Sequence, residues 1–271
     1  MKNFKNKVAA ITGAASGMGR TLALELARRG CHLSLSDVNE IGLAETAQMA
    51  GKLGVKVTTT KLNVADREAM NAWAEQTVRD HGKVNLIFNN AGVALIADIE
   101  PMAIKDMEWL MGINLWGVVH GTQAFLPHLT ASGEGHVVNL SSVFGLMAFP
   151  GQSAYNAAKF GVRGFTDCLR MELEIEGCGV SATTVHPGGI RTNIARNARM
   201  DSSAAALAGG DAGPAVVPGK PDESLLYMMS SRALDPAMPP IPSVAPCRLA
   251  RRRRCNRMAS NRFHRRSPDR S

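Results

Sequence analysis

The sequence predicts an α/β fold, a doubly wound, mostly parallel sheet in three layers with helices on both faces. Three observations carry this. Short apolar runs of strand character alternate with stretches of helical periodicity. A glycine-rich turn joins the first such run to the first helix. The 271 residues are 45% hydrophobic and 20% charged, enough apolar material for one large core.

Residues 7–12 read as a short buried strand, followed by the glycine-rich turn. Arg20–Gly30 carries Leu22, Leu24, Leu26 and Ala27 at helical spacing. Cys31–Ser36 alternates apolar and polar residues and reads as a second strand. A helix over Ile41–Leu53 ends before Gly54, and Val55–Leu62 is a third strand. Asp66 is the expected N-cap of a helix reaching His81. Val84–Phe88 is a fourth strand, and 101–131 reads as two helical pieces interrupted near Gly112. His136–Leu140, a long helix over Ser153–Gly177, and Val180–Val185 complete the series. The expected strand order is 3-2-1-4-5-6, which sets a ligand-binding switch point at the carboxyl ends of strands one and four.

The pattern stops after about residue 196. Residues 1–200 are expected to form the catalytic domain. Residues 201–231, rich in Ala, Gly, Ser and Pro, read as a lid or linker with one short helix over 222–231. Residues 232–271 read as a Pro- and Arg-rich disordered tail. The formal charge of +8 belongs to that tail. Residues 247–271 hold ten Arg and one Asp, and the preceding 246 residues carry a net −1. The basic pI therefore says little about partners of the folded part. The tail is expected to attract nucleic acid non-specifically at most. No run approaches the roughly 18 apolar residues of a membrane span, and the N-terminus lacks a secretory signal. A cytoplasmic protein without membrane contact is expected. The five cysteines are odd in number and lack metal-ligand spacing, so reduced thiols and no metal are expected.

The turn Thr12-Gly13-Ala14-Ala15-Ser16-Gly17-Met18-Gly19 lies between strand and helix. Glycines let a diphosphate approach the backbone, and the helix N-terminus offers it unpaired N–H groups. Asp37 closes the second strand 18 residues beyond Gly19. A carboxylate there accepts ribose hydroxyls and repels a 2′-phosphate, which favours NAD over NADP. The alternative for Asp37 is a helix cap, and Arg20 reads as a solvated residue at the helix start. Tyr155 and Lys159 share one face of the long helix. An ammonium nearby lowers a tyrosine pKa from its usual value of about 10, fitting Tyr155 for proton exchange with an alcohol or ketone oxygen. Ser142, thirteen residues before Tyr155, offers a hydroxyl to the same oxygen. Ser141 is the alternative hydroxyl.

Together with Asn89-Asn90-Ala91-Gly92, Asn114 and Pro187-Gly188-Gly189-Ile190-Arg191-Thr192, these motifs over residues 7–196 resemble the short-chain dehydrogenase/reductase family. The resemblance implies a Rossmann fold and hydride transfer between nicotinamide and a secondary alcohol or carbonyl. Tyr155 would be the acid/base, and Ser142 would position the substrate oxygen. Lys159 would hold the nicotinamide ribose and lower the Tyr155 pKa, and Asn114 would hold a water linking Lys159 to solvent. Gly13, Ser16, Gly17, Met18 and Gly19 would cradle the diphosphate. Asn90, Ala91 and Gly92 would line the central cofactor region. Pro187, Ile190 and Thr192 would meet the carboxamide. Asn63-Val64 stands where the family often has Asp-Val, at the adenine. The resemblance also implies a homodimer or homotetramer through the helices near 101–131 and 153–177.

The mostly apolar Val93, Ala94, Val143, Phe144, Phe149 and Gln152 are candidate substrate-wall residues and suggest a neutral, fairly hydrophobic substrate. The last quarter departs from the family, because neither its further helix nor its last strand is found. Residues 219–227 and 235–240 resemble the end of some c-type cytochrome modules. The C-x-x-C-H of haem attachment is absent from the sequence, so no haem is expected. Two readings stay open: an active dehydrogenase or reductase, and a catalytically impaired relative that binds cofactor or partners.

Overall fold

The computed structural model describes residues 3–190, 192, 194 and 197–200. Six parallel strands form the central sheet: β1 (Val8–Thr12), β2 (His32–Asp37), β3 (Val57–Lys61), β4 (Leu86–Asn89), β6 (Gly135–Leu140) and β7 (Val180–Val185). Their order is β3-β2-β1-β4-β6-β7. This is the doubly wound order expected from the sequence, with its reversal between β1 and β4. β5 (Leu95–Ile96) lies outside the sheet and pairs in parallel with β8 (Arg199–Met200). Neither was expected; two-residue strands carry no alternation to read.

The strand side chains divide between two cores because successive residues face opposite sides. Val8 and Ala10 join Ile87, Val137 and Ala182 on one face. Three helices cover it: α3 (Arg67–His81), α5 (Gly117–Ala131) and α6 (Ser153–Glu176). The Trp73 ring meets Phe125 edge-on at 4.9 Å, and its Nε1 donates to Ser34 Oγ at 3.0 Å. Ala9 and Ile11 face the other way, with Leu33, Leu35, Phe88 and Leu140. There α1 (Gly17–Arg28) and α2 (Glu40–Gly51) cover the sheet. A third, smaller cluster joins Leu95 and Ala97 to Leu110 of α4 (Ile104–Met111) and to Ala154 and Ala158 of α6.

Asp66 caps α3 as expected, its Oδ1 accepting from Ala69 N at 3.0 Å. The first helix begins at Gly17 rather than Arg20, inside the glycine turn. The expected break near Gly112 is instead a π-helical turn over Gly112–Trp116, continuous with α4 before it and α5 after it. Gly117 N donates to Gly112 O across five residues, so the chain widens without stopping. Among the described residues β7 has a neighbour on one side only. The expected lid and tail, residues 201–271, lie outside the described residues. Among the described residues no helix is long and apolar enough to cross a membrane.

Candidate active site

The glycine turn and the loop after β4 are joined at the switch point by one hydroxyl. Thr12 Oγ1 accepts from Asn90 N at 2.9 Å and from Ala91 N at 3.0 Å. Asn90 Nδ2 returns two bonds, to Thr12 O at 2.9 Å and Gly13 O at 3.2 Å. Asn90 Oδ1 is buried with no hydrogen-bond partner. Gly13 has a φ of +67°, and a Cβ there would lie 2.8 Å from Ala91 Cα. A Cβ on Gly19 would lie 2.1 Å from Gly13 O, so only glycine lets the helix start so close under the turn. Ser16 and Gly17 are exposed and Met18 half-buried, which leaves the turn and the amino end of α1 open to an anion. Thr192 lies over Gly17: a Cβ on that glycine would be 3.3 Å from its Cγ2.

Asp37 is not a helix cap. Asn39 caps α2, accepting from Gly42 N. The Asp37 carboxylate instead ties the turn to β2, with Oδ2 accepting from Ala15 N and Oδ1 from Asn39 N, both at 2.9 Å. Arg20 is not solvated. Its guanidinium donates to Ala15 O, to Gly42 O at 3.1 Å, to Thr46 Oγ1 at 2.9 Å and to Glu45 Oε2 at 2.8 Å, linking α1 to α2. Asn63 is exposed and its Oδ1 accepts from Ala65 N. Val64 is buried against Gly117.

Lys159 reaches into the same region from α6 and is 4% exposed. Its Nζ donates to Leu140 O at 2.7 Å and lies 5.5 Å from the centre of the Tyr155 ring. Burial pushes its ammonium down to about 8. Asn114, fully buried in the π turn, grips Val93 with Oδ1 to its N and Nδ2 to its O, each 2.8 Å. A Cβ on Gly92 would lie 3.3 Å from Asn114 Oδ1 and 3.9 Å from Lys159 Nζ, so these residues converge. Tyr155 departs from the expectation. Burial raises its hydroxyl above the usual value, the nearby Ser142 hydroxyl acts in the opposite direction, and Lys159 does not contribute a lowering effect.

The serine pair separates by geometry. Ser141 Oγ donates to Lys159 O at 2.8 Å and is spent on holding α6. Ser142 Oγ accepts from the backbone N–H of Phe144 at 3.2 Å, and its hydroxyl lies beside that of Tyr155. His186 Nδ1 lies 2.9 Å from Ser142 O. Pro187 O accepts from Val143 N at 3.0 Å, and Ile190 N donates to Gly188 O at 2.8 Å. Sequence reasoning missed Thr12 and Asn156 as site-building residues. Thr12 ends β1 at the glycine turn and Asn156 follows Tyr155. Those positions were the available signal. Among the described residues no cluster could hold a metal ion.

A fold that ends two strands in a glycine cradle, with a buried lysine one helical turn from a tyrosine, defines a dinucleotide-dependent oxidoreductase class. A family model described as short chain dehydrogenase matches residues 7–203, and the chain belongs to that family. It is a short-chain dehydrogenase/reductase enzyme. The putative oxidoreductase SadH of Mycobacterium tuberculosis is 53% identical over 200 residues, covering 74% of this chain and 72% of that one. A Burkholderia phymatum short chain dehydrogenase/reductase solved in complex with NAD is 36% identical, with a TM-score of 0.71 over 73% of this chain and 70% of that one. Carveol dehydrogenase from Mycobacterium avium, in complex with NAD, is 31% identical, with a TM-score of 0.66 over 69% and 72%. A second model, described as planctomycete cytochrome C, matches residues 194–241, over the segment that resembled such modules in sequence.

Proposed function

We propose that this enzyme transfers hydride between NAD and a secondary alcohol or ketone, with Tyr155 as the acid/base. The observation that carries the reading is Lys159: a buried ammonium whose only hydrogen bond among the described residues goes to Leu140 O. Two of its three hydrogens remain for a ligand on the Gly92 side. The glycine cradle and the unpartnered Asn90 Oδ1 fit a dinucleotide as well. NAD supplies or accepts the hydride when bound.

Each residue of the chain then has a stated task. Gly13, Ser16, Gly17, Met18 and Gly19 hold the diphosphate against the amino end of α1. Asp37 takes the adenosine ribose, and its charge disfavours a 2′-phosphate, so NAD is preferred over NADP. Asn63 and Val64 border the adenine. Asn90, Ala91 and Gly92 line the middle, and Pro187, Ile190 and Thr192 receive the carboxamide. Lys159 donates to the nicotinamide ribose. Ser142 donates to the substrate oxygen, and Tyr155 gives or takes its proton. Asn114 keeps the loop at Val93 in register and lies beside Lys159, where a water connects to solvent.

All these residues lie within 1–200. The 201–231 segment is assigned as lid or linker, and 232–271 as a tail whose Arg residues attract nucleic acid only non-specifically, with salt weakening the attraction. One observation favours the second reading, a binding protein without turnover. The family match ends at residue 203, with a quarter of the chain beyond it. Tyr155→Phe separates the readings. The substitution is expected to cut turnover of an alcohol panel by about 10²–10⁴-fold while NADH fluorescence titration is unchanged. Wild-type protein that binds NADH and turns over no alcohol or ketone supports the second reading.

A further inference from the structure

Asn156, next to Tyr155 in sequence, is 8% exposed and spends its whole side chain on the loop after Ser142. Its Nδ2 donates to Phe144 O at 2.7 Å and to Met147 O at 2.8 Å. Its Oδ1 accepts from Phe149 N at 3.2 Å. The far end of the loop is fixed as well, because Ala97 N donates to Gly151 O at 3.0 Å and Gln152 N to Phe149 O at 3.2 Å. The loop therefore has its shape before any ligand arrives. It displays two half-buried rings in sequence with the tyrosine. Phe149 stacks on Phe144 at 5.6 Å and 22°, and Phe144 meets Tyr155 edge-on at 6.1 Å and 88°. Leu146, half exposed, extends the apolar surface.

We propose that this loop, held by Asn156, is a preformed aromatic wall that selects a carbonyl or carbinol carbon bearing a flat apolar ring. The inference rests on the dehydrogenase reading and names the substrate class of that same site. A rigid stack of rings loses little freedom on binding and rewards a planar partner over a flexible chain of equal carbon number. Asn156 is a positioning residue: it touches no substrate and acts through Phe144 and Phe149.

The test uses the full chain with NAD or NADH and two methyl ketones of equal carbon number, acetophenone and 2-octanone. Calorimetry on the complex with oxidised NAD, which has no hydride to give a ketone, is expected to show acetophenone bound about threefold to tenfold more tightly. Phe149→Leu keeps an apolar side chain but removes the ring, and is expected to abolish that preference with NADH affinity unchanged. Asn156→Ala is expected to raise the KM for acetophenone several-fold while the KM for NADH holds. Equal binding of the two ketones by the wild type overturns the wall. So does a preference that survives Phe149→Leu, or an NAD complex that binds neither ketone. Failure of the wild type to bind NADH at all sinks the dehydrogenase reading itself, and the two failures are thereby distinct.

Discussion

A buried and a half-buried charge at the site give opposite lessons about the residue scale. Lys159 titrates near 8 in the fold and at 10.5 in the unfolded chain. Between those values the unfolded chain holds a proton that the folded chain does not, so stability rises with pH across the window. Below pH 8 the full cost of the buried ammonium is present. Melts of wild type and Lys159→Met from pH 7 to 10 are expected to show the variant's relative stability falling by on the order of 2–3 kcal/mol. The loss of the bond to Leu140 O only shifts the difference by a constant. A flat difference would contradict the buried charge. Asp37 is stabilised instead by two backbone N–H donors. Asp37→Ala leaves both unpaired and is expected to cost about 1–3 kcal/mol in urea unfolding. Those two freed donors also suit an anion, so the ratio of kcat/KM for NAD over NADP is expected to fall. An unchanged ratio would show that Asp37 only braces the turn.

At the scale of elements, contact distances decide where glycine is required. A Cβ on Gly121 of α5 would lie 2.0 Å from Asn89 Oδ1, beneath β4. Gly121→Ala is expected to destabilise by about 1–3 kcal/mol, since a packed interface yields little. At Gly51, which ends α2, nothing lies within 4 Å. Alanine there is expected to stabilise by up to about 1 kcal/mol. Thermal melts of both variants check the opposite signs. The six sheet strands and most helices were legible because apolar periodicity and caps such as Asp66 are local signals. The π turn was not. Gly112 looks like a break, and only the buried grip of Asn114 on Val93 shows why the helix continues. The motif residues were legible by type and order. Asn156 was not, because its partners at 144, 147 and 149 become neighbours only when the loop closes.

At the scale of the whole molecule, the described residues leave a stripe of apolar side chains on α6 uncovered. Phe160, Met171 and Ile175 are 42%, 61% and 77% exposed, and they recur at helical spacing. A two-fold pairing of this face with a second copy would bury them isologously. Light scattering at micromolar concentration is expected to give a dimer or tetramer, and Ile175→Glu is expected to shift it toward monomer. A monomeric wild type would contradict the pairing.

The clamp made by Arg20 bears on redesign. If NAD is the preferred cofactor, as proposed, changing the preference to NADP requires a cation near the ribose, and Arg20 stands near the amino end of α1. Its guanidinium is already committed to the carbonyls of Ala15 and Gly42 and to the side chains of Thr46 and Glu45. Recruiting it would unfasten one helix from the next. On that reading cofactor preference is not a detachable module. A new positive charge has to be imported from outside that network, and the turn it serves must be left as it is.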